Sequence, residues 1–127
     1  MVMGSDSSKH ILIVDDDEMM RAYVKEILLI NNFIITEAEN GKVGLKKFRE
    51  STPDLVITDI IMPEMEGITF IRQLRSHNET IPIIAMTGNV HGRMEELLDI
   101  SSQLGANEIL HKPVTSKELL ETINNLI

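Results

Sequence analysis

The sequence predicts an α/β domain built on a parallel sheet of five strands, with helices covering both faces of the sheet. Two observations lead to this prediction. Five short apolar segments, most of them rich in β-branched residues, alternate with five segments whose apolar residues recur every three or four positions. This alternation implies parallel strands joined by right-handed crossovers. A chain of 127 residues is long enough for one such domain with its own hydrophobic core.

The predicted strands are short apolar runs that end at a polar residue or a turn. The first run is followed by three aspartates, and the third, bounded by Pro53, is followed by Asp59. Such short apolar runs are typical of strands buried on both faces of a sheet. The predicted strands are His10–Val14, Phe33–Thr36, Leu55–Thr58, Ile83–Met86 and Glu108–Leu110.

The predicted helices are delimited by residues that favour helix ends. Asn31-Asn32 ends the first helix, Asn40-Gly41 opens the second, the third follows Gly67, and Gly105 stops the fourth. The segment Thr115–Glu118 is a capping box that opens the fifth. The apolar positions that define the buried faces are Met20, Val24, Ile27 and Leu28; Leu45 and Phe48; Ile68, Ile71 and Leu74; Met94, Leu97, Leu98 and Leu104; and Leu119, Ile123 and Leu126.

The composition excludes several classes of protein. The chain has no cysteine, so neither disulfides nor thiol chemistry is expected. A net charge of −8 and an aromatic content of 3% argue against binding to nucleic acid. No apolar segment approaches the length of a membrane span, so a cytoplasmic protein with no membrane partner is expected. We expect residues 1–9 to form a flexible tail and residues 10–127 to form one domain, with no output module attached.

Polar side chains with complementary chemistry follow four of the predicted strands. Asp15 and Asp16 follow the first, Asp59 the third, Thr87 the fourth and Lys112 the fifth. Because the carboxyl ends of parallel strands lie on one edge of a sheet, these side chains are expected to meet there. Clustered carboxylates without histidine or cysteine suit Mg²⁺. Together with a hydroxyl and a lysine, they are the groups needed to accept and hold a phosphoryl group.

At these residues the sequence resembles the receiver domains of response regulators, the CheY-like family. The resemblance covers roughly residues 10–127 and is carried by the segments ILIVDDD, TDIIMPEMEG, AMTG and HKPV, which occur in the family's order. It implies a flavodoxin-like three-layer sandwich with strand order 2-1-3-4-5, an order taken over from the family. It also implies a signalling protein in a two-component phosphorelay, which catalyses only its own phosphorylation and dephosphorylation.

The resemblance assigns roles to the acidic residues. Asp59 is implied to be the phosphoacceptor. Asp16 and Asp59 are implied to bind Mg²⁺ directly, with the backbone carbonyl of Ile61 as a third ligand, and Asp15 to act through a water molecule. The phosphoryl group is implied to come from a histidine kinase or a histidine phosphotransfer protein, and the signal to pass to a downstream protein effector.

The resemblance also assigns roles around the phosphoryl group. Thr87 is implied to bond a phosphoryl oxygen and Lys112 to pair with the group, while Gly88 leaves little bulk beside the site. The bond between Lys112 and Pro113 is commonly cis in the family. The aromatic residue that usually accompanies switching falls on Ile109 in this chain, so the usual coupling between Thr87 and an aromatic ring is not expected.

Two further departures from the family pattern concern spacing. Thr87 and Lys112 are 25 residues apart, a few more than is usual, and the additional residues are assigned to positions 89–93. Three aspartates replace the usual pair. The register of the first strand makes Asp15 and Asp16 the functional pair and Asp17 a helix cap, while a slip by one residue makes Asp17 a ligand.

Two functions follow from these observations. The first is a receiver that binds proteins in response to phosphorylation. The alternative, suggested by Ile109, is a degenerate receiver that acts as a docking module independently of phosphorylation. A flavin-binding protein shares the architecture but is disfavoured, because acidic residues occupy the turn that would have to hold the flavin phosphate.

Overall fold

A computed structural model of the chain describes residues 8–60, 66–88 and 94–127. They form a five-stranded parallel sheet in the order β2-β1-β3-β4-β5. The fold class predicted from the sequence and the strand order implied by the resemblance are therefore confirmed. The strands are β1 (His10–Val14), β2 (Ile34–Ala38), β3 (Leu55–Asp59), β4 (Ile83–Thr87) and β5 (Glu108–His111). The helices are α1 (Glu18–Ile30), α2 (Gly41–Glu50), α3 (Glu66–His77), α4 (Met94–Leu104) and α5 (Ser116–Leu126).

Two apolar clusters lie on opposite faces of the sheet. One joins α2 and α3, through side chains such as Phe48 and Phe70, to one face of the strands, and α4 packs against it. The other joins α1 and α5, through Leu28 and Ile123, to the opposite face. All five residues of β3 and of β4 are buried, as expected for central strands covered on both faces. This frame holds the ends of β1, β3 and β4 in fixed positions.

The starts of α1, α2 and α5 that were predicted from local sequence are confirmed, whereas α3 begins at Glu66 and includes Gly67 instead of following it. The Asp17 carboxylate accepts hydrogen bonds from the amides of Met19 and Met20, which makes Asp17 the cap of α1. Asn40 caps α2 through the amide of Val43. Thr115 caps α5, because its hydroxyl accepts from the amide of Glu118. Each cap satisfies a backbone donor that the first helical turn leaves unpaired.

Several predicted boundaries were wrong by one or two residues. The edge strand β2 begins at Ile34 and continues to Ala38, because pairing with β1 extends to the end of both strands. The amide of Phe33 instead donates to the carbonyl of Leu28 at the end of α1. Strands β3, β4 and β5 each extend one residue further than predicted, so Asp59 and Thr87 are the last residues of their strands. Backbone pairing therefore fixes the residues on which the predicted site depends.

Residues 1–7 of the predicted tail lie outside the described residues, so its flexibility stays a prediction. In the described ranges, no helix combines the length and the apolar character needed to cross a membrane.

Candidate functional site

The turn after β1 separates the three aspartates into three environments. Asp15 is fully buried, and its Oδ1 accepts a hydrogen bond of 2.9 Å from the backbone amide of Asp17. Asp16 is exposed, and Asp17 is directed to the first turn of α1 as its cap. Asp17 is therefore the helix cap that was predicted, and the roles of Asp15 and Asp16 as the functional pair stay a prediction.

Asp59 lies at the carboxyl end of β3 and is 4% exposed. It belongs to a cluster in which one carboxylate oxygen from each of Asp15, Asp16 and Asp59 lies within 4.8 Å of the other two. Hard anionic oxygens, clustered here without a histidine or cysteine ligand, are the type of ligand that Mg²⁺ prefers. The donor set therefore fits the ion that was predicted, with two of its members buried and one facing solvent.

Lys112 joins the cluster from the end of β5. Its Nζ lies 3.0 Å from Oδ2 of Asp15 and 3.4 Å from Oδ2 of Asp59. Its backbone amide donates to the carbonyl of Thr87 at 2.8 Å, which fixes the point at which the lysine leaves the sheet. Burial alone lowers the pKa of Lys112, but attraction to Asp59 and Asp15 and hydrogen bonds to both raise the pKa above its ordinary value. The amine is therefore held as a cation. The following bond, to Pro113, is cis.

Thr87, Gly88 and Ile109, the other described residues predicted to belong to the site, differ in burial and in contacts. Thr87 is fully buried, and its hydroxyl donates to the carbonyl of Gly88 at 3.2 Å. A Cβ at Gly88 would meet no atom of the described residues within 4 Å, so among these residues the position opens onto space beside the strand end. Ile109 is partly buried and packs against the cluster formed by α2, α3 and α4. The backbone carbonyl of Ile61 and the segment 89–93 lie outside the described residues.

Two residues that support the site were not identified from the sequence. Gly67, in the first turn of α3, approaches β3 so closely that a Cβ there would lie 2.1 Å from the carbonyl oxygen of Asp59. Arg21, one turn into α1, donates from a guanidinium nitrogen to the carbonyl of Asp15 at 2.6 Å and lies 3.5 Å from a carboxylate oxygen of Glu37. Both contacts of Arg21, with the Asp15 carbonyl and with Glu37, depend on how α1 packs beside β1 and β2, so the sequence alone gave no direct indication of them.

Comparisons with known proteins agree with this geometry. A family model described as the response regulator receiver domain matches residues 11–124. The chemotaxis protein CheY of Bacillus subtilis (strain 168) is 39% identical over 118 residues, which cover 92% of this chain and 96% of that protein. The hybrid signal transduction histidine kinase D of Dictyostelium discoideum is 36% identical over 120 residues, covering 92% of this chain but 7% of the kinase.

A solved structure also resembles this fold closely. The response regulator receiver domain protein (CheY-like) from Methanospirillum hungatei JF-1 superposes with a TM-score of 0.85 at 31% sequence identity, covering 94% of this chain and 93% of the other. Domains of this kind take part in two-component signalling together with histidine kinases. The chain belongs to the response regulator receiver domain family.

Proposed function

We propose that this receiver domain accepts a phosphoryl group on Asp59 in a Mg²⁺-dependent reaction, with a histidine kinase or a histidine phosphotransfer protein as donor. The observation that supports the proposal most strongly is the buried carboxylate of Asp59, 3.4 Å from the amine of Lys112 and within 4.8 Å of two further carboxylates. A nucleophile, a fixed cation and an oxygen-rich metal site are thus adjacent. Phosphoryl transfer consists mainly of positioning and of neutralising charge on oxygen.

The proposed transfer forms one bond and breaks one. A carboxylate oxygen of Asp59 attacks phosphorus, the O–P bond forms, and the N–P bond to the donor imidazole breaks. The imidazole nitrogen keeps the electron pair and takes a proton from solvent, so no further reactant is required. Lys112 stabilises the charge on the oxygens of the transferred group. The hydroxyl of Thr87, at the end of the neighbouring strand β4, donates a hydrogen bond to one of these oxygens in the phosphorylated product.

Asp16 and Asp59 are the proposed direct Mg²⁺ ligands, with Asp15 acting through a water molecule. This division is supported by the contacts of Asp15, because one of its oxygens accepts from an amide and the other from Lys112. When bound, Mg²⁺ offsets negative charge on the transferring group. Exposed Asp16 gives an ion a route from solvent to the buried carboxylates.

The test is phosphorylation by acetyl phosphate or phosphoramidate, followed by intact-protein mass spectrometry with Mg²⁺ or with EDTA. The wild type should gain one phosphoryl group only with Mg²⁺, and Asp59→Asn should gain none. Asp16→Asn should weaken both Mg²⁺ binding and phosphorylation. Asp17→Asn is its matched control, because it removes the same charge one residue away and leaves a residue that still caps α1. Phosphorylation of Asp59→Asn, or equal loss in the two other variants, would reject the proposal.

The second candidate is a docking module that does not respond to phosphorylation. It is favoured by Ile109, an aliphatic side chain that already packs against the core and carries no polar group that could change partners. Hydrogen exchange of the protein with Mg²⁺, before and after addition of beryllofluoride, separates the two candidates. A change in exchange across β4 and β5 supports phosphorylation-dependent binding of a downstream effector. Unchanged exchange, with beryllofluoride bound, supports the docking module.

A further inference from the structure

Positive charge is concentrated on one side of this acidic protein. Helices α2 and α3 contain six of the twelve lysines and arginines and only two glutamates, a net charge of +4 over 22 residues. The remaining 105 residues carry a net charge of −12. The two helices lie side by side on one face of the sheet and contribute to the same apolar cluster. Their outer surface, which we call the α2–α3 face, is therefore a basic patch on a protein of opposite charge.

Four cations of the α2–α3 face are exposed, namely Lys42, Lys46, Arg49 and Arg72. Across the described ranges, no carboxylate forms an ion pair with any of them. Arg49 has one polar contact, at 3.5 Å from Nε2 of His77. The structure of the domain thus makes little use of these four charges.

The other two cations of these helices serve the fold. Lys47 donates from its Nζ to the backbone carbonyl of Glu37. The Arg75 guanidinium donates to the carbonyl of Gly105 and to the side chain of Asn107, joining α3 to the segment before β5. This contrast separates structural cations from those that remain available to a partner.

A cavity of about 370 Å³ lies between the two helices within this face. Lys42 and Arg49 line it from α2, Thr69 and Gln73 line it from α3, and the buried side chains of Leu45 and Phe70 supply its apolar lining. Lys42, Leu45 and Arg49 recur at spacings of three and four, so α2 presents them along one stripe. The cavity is large enough for one apolar side chain, with cations placed to pair with the residues around it.

We propose that the α2–α3 face binds an acidic protein segment that inserts one apolar side chain into this cavity. The partner is acidic because, within the described ranges, no carboxylate of the chain pairs with the four exposed cations, which are therefore available to carboxylates of another protein. A nucleic acid or an anionic membrane would also meet the rest of the surface, where a charge of −12 repels it over roughly a Debye length of 10 Å. A short acidic segment contacts the α2–α3 face alone. The interaction does not depend on the proposed phosphoryl transfer.

The test uses a fluorescent ten-residue peptide with Asp and Glu around a central Leu-Phe pair, and fluorescence anisotropy with the full chain. We expect saturable binding that weakens with added salt, and no binding of a peptide with Asn and Gln in place of the acids. Lys42→Glu combined with Arg49→Glu should weaken binding at least about tenfold. The control, Lys9→Glu combined with Lys117→Glu, changes the net charge equally at exposed positions elsewhere and should weaken binding less than about twofold.

A third variant tests the cavity without changing charge. Gln73→Trp adds bulk at an exposed position that lines the cavity, and it should weaken binding while leaving the salt dependence unchanged. Equal losses in the two charge-reversed variants would overturn the proposal, as would absence of peptide binding at a protein concentration of about 1 mM. Tighter binding to phosphatidylserine vesicles or duplex DNA than to the peptide would overturn it as well. Self-association that Lys42→Glu with Arg49→Glu abolishes would assign the face to a second copy of the chain and refute the proposed occupant.

Discussion

Among the described residues, Lys112 is the cation that pairs with both buried carboxylates, Asp15 and Asp59, so Lys112→Met should destabilise the domain. Asp15 is fully buried and Asp59 is 4% exposed, and the lysine amine lies within 3.4 Å of both. Removing one partner of a buried ion pair costs about 3–5 kcal/mol. The lysine side chain is 19% exposed and the cluster opens towards solvent at Asp16, so water replaces part of the lost interaction. We therefore expect a loss of about 2–3 kcal/mol.

Urea unfolding in EDTA measures this effect, with Lys117→Met as the matched control. Lys117 is exposed on α5, so its variant should stay within about 0.5 kcal/mol of the wild type. Adding Mg²⁺ should then stabilise Lys112→Met more than it stabilises the wild type, because a bound cation takes over the role of the amine. If Lys112→Met is as stable as Lys117→Met in EDTA, or if Mg²⁺ stabilises both equally, the lysine does not neutralise the cluster.

The same interaction predicts a pH dependence. Because the pKa of Lys112 is raised in the folded protein, its contribution to stability is complete below the ordinary value of 10.5. The contribution is lost as the pH rises through the raised pKa. The difference in unfolding free energy between the wild type and Lys112→Met should therefore be constant from neutral pH to about pH 10 and should decrease above it. A difference that decreases between pH 8 and 9 would contradict the assignment.

Two further predictions concern the supports of the site. Gly67→Ala should cost about 3 kcal/mol or more in urea unfolding, because its Cβ would lie 2.1 Å from the carbonyl oxygen of Asp59 and neither backbone can rotate away. Gly88→Ala should be neutral, because a Cβ there meets no atom of the described residues within 4 Å. Equal effects of the two substitutions would therefore exclude the steric explanation for Gly67→Ala. Tyr23→Phe should cost about 1 kcal/mol, because it removes a 2.7 Å hydrogen bond to the carbonyl of Val114. An unchanged urea midpoint would show that water replaces this bond.

The fold could be predicted because its determinants are local or periodic. Alternating strands and helices imply the parallel sheet, and short-range chemistry places the caps at Asp17, Asn40 and Thr115. The site followed from topology, because the ends of parallel strands share an edge regardless of their distance along the chain. Lys112 and Asp15 are 97 residues apart, yet both were assigned to this edge from their positions after strands.

The remaining features could not be predicted, because they depend on distances between elements. Nothing in the sequence indicates that Gly67 touches the backbone of Asp59, since that contact is set by the angle at which α3 leaves the sheet. The pairing of Arg75 with the carbonyl of Gly105, 30 residues away, likewise depends on how α3 and α4 pack. The boundaries of β2 were wrong because an edge strand ends where its neighbour stops pairing, and propensity does not encode that point.

The charges of the cluster give a physical reason for both the bound ion and the contact between Thr87 and the phosphoryl group that we propose. Three carboxylates and one amine carry a net charge of −2, which one divalent cation cancels. Conversion of Asp59 from a carboxylate to a dianionic acyl phosphate then adds one negative charge, which calls for a further donor. Thr87 can supply it only by giving up its hydrogen bond to the carbonyl of Gly88. At 3.2 Å that bond is long for a hydroxyl donor, so the exchange costs little and the added charge can drive it.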